Sequence, residues 1–113
     1  MSTVALSKTD RIRVLNDNFR STFEGGRVVV TAGVDALPLD TKARVILAVQ
    51  SFSNFTKEND THGEHDFGNF EIECENYFFK IDYYAPGFDG GSEDAADPQK
   101  TARVMTIMRA DEY

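Results

Sequence analysis

The feature that most limits the fold of this chain is an alternation of side chains in two consecutive stretches, residues 70–75 and 77–84. Polar residues separate each apolar or aromatic residue from the next in FEIECE, and the following YFFKIDYY continues the pattern. The members that share one side are Phe70, Ile72, Cys74, Tyr77, Phe79, Ile81 and Tyr83. A period of two is typical of a strand with one buried face. The stretch therefore predicts two strands that bury the same face.

A tight turn at Glu75 and Asn76 joins these strands in the predicted hairpin. Its register pairs Cys74 with Tyr77, Ile72 with Phe79, and Phe70 with Ile81. The same register sets Glu71 opposite Lys80, a favourable cross-strand charge pair. Because the register gathers the apolar groups on one face, it is strongly specified. Cys74 is then a packed, inert thiol rather than a nucleophile.

Two amphipathic segments predict helices that cover this buried face. The first has a stripe at helical spacing, starts at Ser7 or Thr9, and ends before Gly25 and Gly26. The second starts at Asp40 or Thr41 and ends near Asn54. The stripes consist of Ile12, Leu15, Phe19 and Phe23 in the first helix, and Val45, Ala48, Val49, Phe52 and Phe55 in the second.

Two further strands complete the predicted fold. RVVVTAGV (residues 27–34) is β-branched, and ARVMTIMRA (residues 102–110) is apolar on both faces and therefore central. Between the hairpin and the last strand, residues 85–101 form a long Gly/Pro/Asp loop. The order α-β-α-β-β-β predicts a single α+β domain over residues 1–113, with four mostly antiparallel strands and two helices on one face.

Composition and charge narrow the function classes. The chain has 113 residues, a net charge of −7 and one cysteine, so it has no internal disulfide. No apolar run approaches the length of about 20 residues that spans a bilayer, and MSTVALSKTD lacks the pattern of a secretory signal. A cytoplasmic protein without membrane association is the expectation. Residues 57–75 hold seven acids and one lysine, which disfavours direct nucleic-acid binding and suits a basic protein partner or a cation.

The stretch NDTHGEHDFG (residues 59–68) carries the densest chemistry in the chain. Imidazoles and carboxylates bind transition metals, so His62, His65 and Asp66 are candidate metal ligands. A metal-free alternative makes His65 an acid/base group beside Glu64 or Asp66. No HExxH arrangement and no activated nucleophile accompany these residues. We therefore expect no cofactor and favour an ordered turn that contacts the long loop.

The predicted hairpin also leaves a second face that the helices do not cover. Its residues are Glu71, Glu73, Phe78, Lys80, Asp82 and Tyr84. Aromatic rings on a charged, exposed surface are typical anchors of recognition sites. This pattern favours a small acidic module that binds or blocks a basic, nucleic-acid-handling protein. An enzyme centred on residues 59–68 is the alternative function, and a homo-oligomer interface is the alternative use of the surface.

Three strings resemble one small bacterial domain family of unknown function. They are GEHDFG, KIDYY and the pattern DP-x-x-T-x-RV-x-TIM, and the resemblance runs from about Leu15 to Tyr113. Members of that family more often have an acid after KIDYY, where this chain has Ala85. The resemblance implies a stand-alone intracellular bacterial protein. It brings no assigned activity, cofactor or catalytic residue.

Overall fold

The protein forms an α+β fold with one four-stranded sheet, as the sequence predicts. The computed structural model describes residues 6–113, so the first half of MSTVALSKTD lies outside the described residues. The elements are α1 (Lys8–Thr22), β1 (Arg27–Val30), α2 (Ala32–Asp35), α3 (Leu39–Gln50), β2 (Phe67–Ile72), β3 (Glu75–Tyr84) and β4 (Ala102–Arg109). One-turn 3-10 helices follow at Pro98–Lys100 and Ala110–Glu112.

The sheet is mixed and mostly antiparallel, with the strand order β1-β4-β3-β2. Strand β3 pairs antiparallel with both β2 and β4, whereas β1 pairs parallel with β4. The prediction that the last strand is central is confirmed. Within residues 6–113, no helix is both long and apolar enough to cross a membrane.

The helices and the sheet enclose one hydrophobic core. The buried side chains at its centre are Phe19, Val34, Val45, Val49, Tyr77, Phe79, Ile81, Met105 and Ile107. Phe79 lies opposite Ile107, and Ile81 opposite Met105, so these four point to the same face of the sheet. The apolar side of the alternating strands is therefore the sheet face against which α1, α2 and α3 pack.

The predicted hairpin register is wrong by two residues at the turn. The turn residues are Glu73 and Cys74, with φ angles of 53° and 67°, and Ile72 pairs with Glu75. Two consecutive positive φ angles are the pattern of a type I′ turn, whose twist matches that of the flanking strands. The shift moves each partner by an even number of residues. For this reason Phe70 faces the core as predicted, although it pairs with Tyr77.

Two consequences of the new register correct further predictions. Glu71 lies opposite Asn76, and Lys80 lies opposite Phe67, so the predicted Glu71–Lys80 pair does not form. Cys74 is exposed at the tip of the hairpin rather than buried. The alternation of side chains fits either turn, because each partner shifts by an even number of residues and the same face stays buried.

The exposure of Cys74 leads to a direct test. We expect a thiol reagent to label the native protein stoichiometrically, at a rate close to that of the urea-unfolded chain, because no packing shields the sulfur. Absorbance of the released chromophore measures the rate, and Cys74→Ser serves as the unlabelled control. Labelling that requires unfolding would place the thiol in the core and contradict the observed turn.

Helix α1 begins where the sequence predicts. The Ser7 hydroxyl accepts a hydrogen bond from the Asp10 N–H at 3.0 Å, and the Asp10 carboxylate accepts one from the Ser7 N–H at 3.3 Å. This reciprocal pair is a capping box. The left-handed residue after the helix is Phe23, with φ 61°, so the cap precedes Gly25 and Gly26.

Two other element boundaries differ from the prediction. The predicted strand over residues 27–34 ends at Val30, because the chain turns into α2. The carboxylate of Glu112 accepts a hydrogen bond from the Gly33 N–H at 2.8 Å, a cap supplied from the far end of the chain. Helix α3 ends at Gln50, so Phe52 lies beyond it and packs edge-on against Phe79 with ring centroids 5.3 Å apart.

Candidate functional site

The loop formed by residues 59–68, hereafter the motif loop, is fixed by its own polar side chains. The Asn59 side-chain oxygen accepts from the Thr56 N–H at 2.7 Å, and Asp60 accepts from the His65 N–H at 3.1 Å. Gly63 has φ 71°, a conformation that glycine adopts without strain. The ordered turn that the sequence predicts therefore rests on hydrogen bonds to Asn59 and Asp60.

His65 attaches the motif loop to α1. Its Nδ1 lies 2.8 Å from an oxygen of Asp17, and its Nε2 lies 3.5 Å from an oxygen of Asp60. The imidazole stacks on Phe55 with ring centroids 3.7 Å apart. Asp17 also pairs with Arg20 at 2.9 Å. Both imidazole nitrogens thus face carboxylates of the protein itself.

Arg13 and Arg20 support this attachment from the helix side. Arg13 donates to the Gly63 carbonyl at 2.9 Å and pairs with Asp10. The guanidinium of Arg20 lies over the rings of Phe55 and Phe79, at 5.1 Å and 5.8 Å from their centroids. The Nε of Arg20 is buried and has no hydrogen-bond partner among the described residues. Arg13 and the buried Arg20 therefore hold the motif loop against α1.

Glu64 joins the motif loop to a polar group inside the fold. The Tyr83 hydroxyl donates to Glu64 Oε1 at 2.8 Å, and Asn16 Nδ2 donates to the Tyr83 oxygen at 2.7 Å. Asn16 also donates to the Glu64 carbonyl at 3.0 Å. Burial raises the pKa of the Tyr83 phenol far above its ordinary value, so this hydroxyl remains a donor at neutral pH.

Arg103 extends the same network to the long loop, residues 85–101. Its Nε donates to Asn16 Oδ1 at 2.9 Å, and its terminal nitrogen donates to the Ala95 carbonyl. The guanidinium also lies 5.2 Å from the centroid of the Tyr83 ring. Burial lowers the pKa of Arg103. Asn16, Tyr83 and Arg103 therefore connect α1, β3, β4 and both loops, and we call them with Glu64 the buried network.

The contact between the two loops differs from the predicted one. The sequence suggested direct bonds from His65 or Asp66 to the long loop, whereas the connection passes through Asn16 and Arg103. Both residues were missed, yet the sequence contains a signal for each. Asn16 lies four residues after Ile12 and three before Phe19 on the buried side of α1, and Arg103 shares the inward side of β4 with Met105. A polar residue at a core-facing position is the signal.

The three predicted metal ligands do not converge. His62 is exposed, and His65 faces Asp17 and Asp60 rather than His62. Burial raises the pKa of the Asp66 carboxyl, and the nearby Glu64 carboxylate raises it further. Among residues 6–113, no group of three His, Cys, Asp or Glu side chains is arranged to hold a metal ion.

The acid/base candidates are likewise occupied by contacts within the fold. Glu64 accepts from Tyr83, and His65 is enclosed by Asp17, Asp60 and Phe55. Within the described part of the chain, no hydroxyl or thiol is a hydrogen-bond partner of His65. The geometry of the motif loop is that of a structural clamp.

A second region, the sheet face opposite the helices, contains most of the predicted partner-binding residues. We call it the open face. Phe78, Lys80, Asp82 and Tyr84 alternate along β3 with the core residues and point to this face, and Glu71 is exposed on β2. Lys80 and Asp82 pair at 3.1 Å. Glu73 lies elsewhere, because its carboxylate binds the Thr41 hydroxyl at 2.9 Å and Arg44 at 3.0 Å on α3.

Aromatic rings form two groups on the open face. Phe78 lies between Phe67 and Tyr113, with ring centroids 5.2 Å and 5.7 Å away. Tyr84 packs on Phe88 of the long loop, at 5.7 Å. Phe78 is half-buried by its neighbours, whereas Tyr84 and Tyr113 are 37% and 78% exposed. Beside Tyr113, a shallow depression of about 340 Å³ is lined by Thr31, Lys80, Thr106, Met108, Glu112 and Tyr113.

The acidic stretch over residues 57–75 is less free than its sequence suggests. Four of its seven acids are engaged: Asp60 with His65, Glu64 with Tyr83, Glu73 with Arg44, and Glu75 with Arg109. The arginine partners of Glu73 and Glu75 cancel part of the negative charge of this stretch. Of the other three acids, Glu58 and Glu71 are exposed, and Glu71 lies on the open face.

These features define a class of protein: a small α+β domain with one mixed sheet, helices on one face and an open face on the other. The chain belongs to the family described as "Protein of unknown function (DUF3768)", whose model matches residues 30–112. The resemblance to a family of unknown function is confirmed. The match includes the motif loop and β2 to β4, and α1 precedes it. Comparison with curated proteins and with solved structures gave no match.

Proposed function

We propose that this protein is a cytoplasmic binding module that recognises a basic protein partner through its open face. The observation that carries the proposal is the combination of a sheet face that α1, α2 and α3 do not cover and exposed aromatic rings beside it. Tyr84, Phe88 and Tyr113 are 37%, 48% and 78% exposed. Tyrosine and phenylalanine rings supply large contact areas and are enriched in the energetic centres of protein interfaces.

The charge distribution supports a basic rather than an acidic partner. The chain carries a net charge of −7, and the exposed Glu71 lies on the open face. Complementary charge speeds association and weakens as salt screens it. A nucleic acid would be repelled by the same field.

The cysteine content supports the cytoplasmic part of the proposal. Cys74 is exposed and unpaired. An exposed free thiol persists in a reducing compartment, whereas oxidising compartments favour disulfides. The bacterial origin implied by the resemblance fits the same setting.

A pull-down from native cell extract tests the proposal. We expect the wild-type protein to retain a partner at low salt and less of it at high salt. Tyr84→Ala/Tyr113→Ala should lose that partner, since both rings are exposed and their removal leaves the core intact. Val14→Ala/Leu47→Ala is the matched control, because these side chains are 45% and 63% exposed on helices of the other layer.

The control variant should retain the partner at the wild-type level. A partner that both variants retain, or one indifferent to salt, would contradict recognition through the open face. No partner at any salt would leave a homo-oligomer interface as the better use of this surface.

A further inference from the structure

Strand β1 leaves one edge of the sheet free among the described residues. It pairs only with β4, at the end of the strand order β1-β4-β3-β2. The Thr31 N–H donates to the Ile107 carbonyl at 3.1 Å, so the backbone of Thr31 points toward β4. Backbone groups alternate in direction along a strand. The N–H and C=O groups of Val28 and Val30 therefore point away from the sheet.

The two edges of the sheet differ in their side chains. Strand β2, at the opposite edge, exposes the polar residues Asn69 and Glu71. Strand β1 exposes Val29 and Val30, at 37% and 36%. Charged side chains on an edge strand discourage pairing with another chain, whereas an apolar edge permits it. The β1 edge has the properties of a pairing surface.

We propose that β1 pairs antiparallel with β1 of a second copy of this chain, joining two sheets into one of eight strands. The backbone directions determine the register. The backbone groups of Val28 and Val30 point outward. Val28 therefore pairs with Val30 of the second copy, and Val30 pairs with Val28 of the second copy. Val29 pairs with Val29 of the second copy at the two-fold axis. This arrangement makes four backbone hydrogen bonds, because each outward-facing pair exchanges two.

Charge complementarity favours this occupant over an unrelated strand. The register sets Arg27 opposite Thr31 of the second copy. The Thr31 hydroxyl donates to the exposed carboxylate of Glu112 at 2.6 Å, which therefore lies beside the incoming guanidinium. Arg27 contacts the Phe88 ring and has no carboxylate partner within 4 Å in residues 6–113. The two-fold symmetry forms this charge pair twice.

Cysteine cross-linking tests the register. In the Cys74→Ser background, the sulfurs introduced by Val29→Cys meet at the axis, where opposing Cβ atoms lie about 4.5–5.5 Å apart. Mild oxidation should convert most of this variant to a covalent dimer on non-reducing gels. Val14→Cys, at a comparably exposed site on α1, is the control and should remain largely monomeric. Equal cross-linking of the two variants, or none in Val29→Cys, would overturn the proposal.

Sedimentation equilibrium of the wild-type chain tests the association without an engineered thiol. A four-residue strand buries little surface, so we expect a reversible monomer–dimer equilibrium in the weak class of interfaces. Arg27→Glu should weaken it at least tenfold, because it replaces two attractive pairs with two repulsive ones. A strictly monomeric wild type, or an Arg27→Glu variant that dimerises equally well, would overturn the proposal. The open-face variants should not alter this equilibrium, which separates this outcome from that of the proposed function.

Discussion

Replacing Asn16 with alanine should lower the free energy of unfolding by at least about 2 kcal/mol. Asn16 is fully buried and bonds to three groups: Arg103 Nε, the Tyr83 hydroxyl and the Glu64 carbonyl. Each buried polar group that loses its partner costs about 1–3 kcal/mol, and charged groups cost more. Urea unfolding measures the change, since a shift of the midpoint at constant slope reports stability alone.

Asn18→Ala provides the matched control for this variant. Asn18 is exposed on the same helix, two residues further along, so its replacement should change stability by less than about 0.5 kcal/mol. A double-mutant cycle of Asn16→Ala with Arg103→Ala should give a coupling of about 0.5–3 kcal/mol, because the two side chains are in direct contact. Additive effects, or a loss equal to that of Asn18→Ala, would show that the buried network does not stabilise the fold.

Replacing Gly68 with alanine should lower the free energy of unfolding by about 3 kcal/mol, near the top of the range for overpacked cores. Gly68 lies opposite Phe79 in the β2–β3 pair. An added methyl group would lie 2.7 Å from Phe79 Cζ and 2.8 Å from Phe52 Cε1. Phe79 is fully buried, so its ring has no free space to occupy. Thermal or urea unfolding measures the loss.

Gly87→Ala is the control, because its added methyl group would meet no atom closer than 3.6 Å. Phe79→Leu should remove part of the clash, so Gly68→Ala should cost less in that background than in the wild type. A cost that is the same in both backgrounds would mean that the ring of Phe79 does not constrain Gly68. If both results hold, packing against Phe79 explains why Gly68, the last residue of NDTHGEHDFG, is a glycine.

Asn16→Ala and Gly68→Ala both test whether the motif loop has a structural role. Its histidine and carboxylate side chains resemble a metal or acid/base site in the sequence, yet in the structure Glu64 and His65 bind Tyr83 and Asp17. Histidine and carboxylate side chains that are close together in sequence are not sufficient for a metal or acid/base site. The elements against which they pack decide the direction of each side chain. We therefore propose the open face, rather than the motif loop, as the functional surface.

The sequence by itself determined most of the apolar side chains that are buried in the regular elements, but not the buried polar ones. The period-two alternation of β3 placed Tyr77, Phe79 and Ile81 in the core, and the apolar pattern of β4 identified it as a central strand. These predictions succeeded because burial depends on a local period that the chain cannot change without exposing apolar surface. The α+β class followed from the order of those periods.

The tertiary structure alone decided the register of the hairpin and the partners of the polar residues. A slip by an even number of residues keeps the same face buried, so alternation could not distinguish the turn at Glu73 and Cys74 from the predicted one. Asn16 and Arg103 are 87 residues apart, and Asn16 and Glu64 are 48 apart. Contacts between residues so far apart in sequence depend on how helices and strands pack. No local pattern in the sequence indicates which of these distant residues will meet.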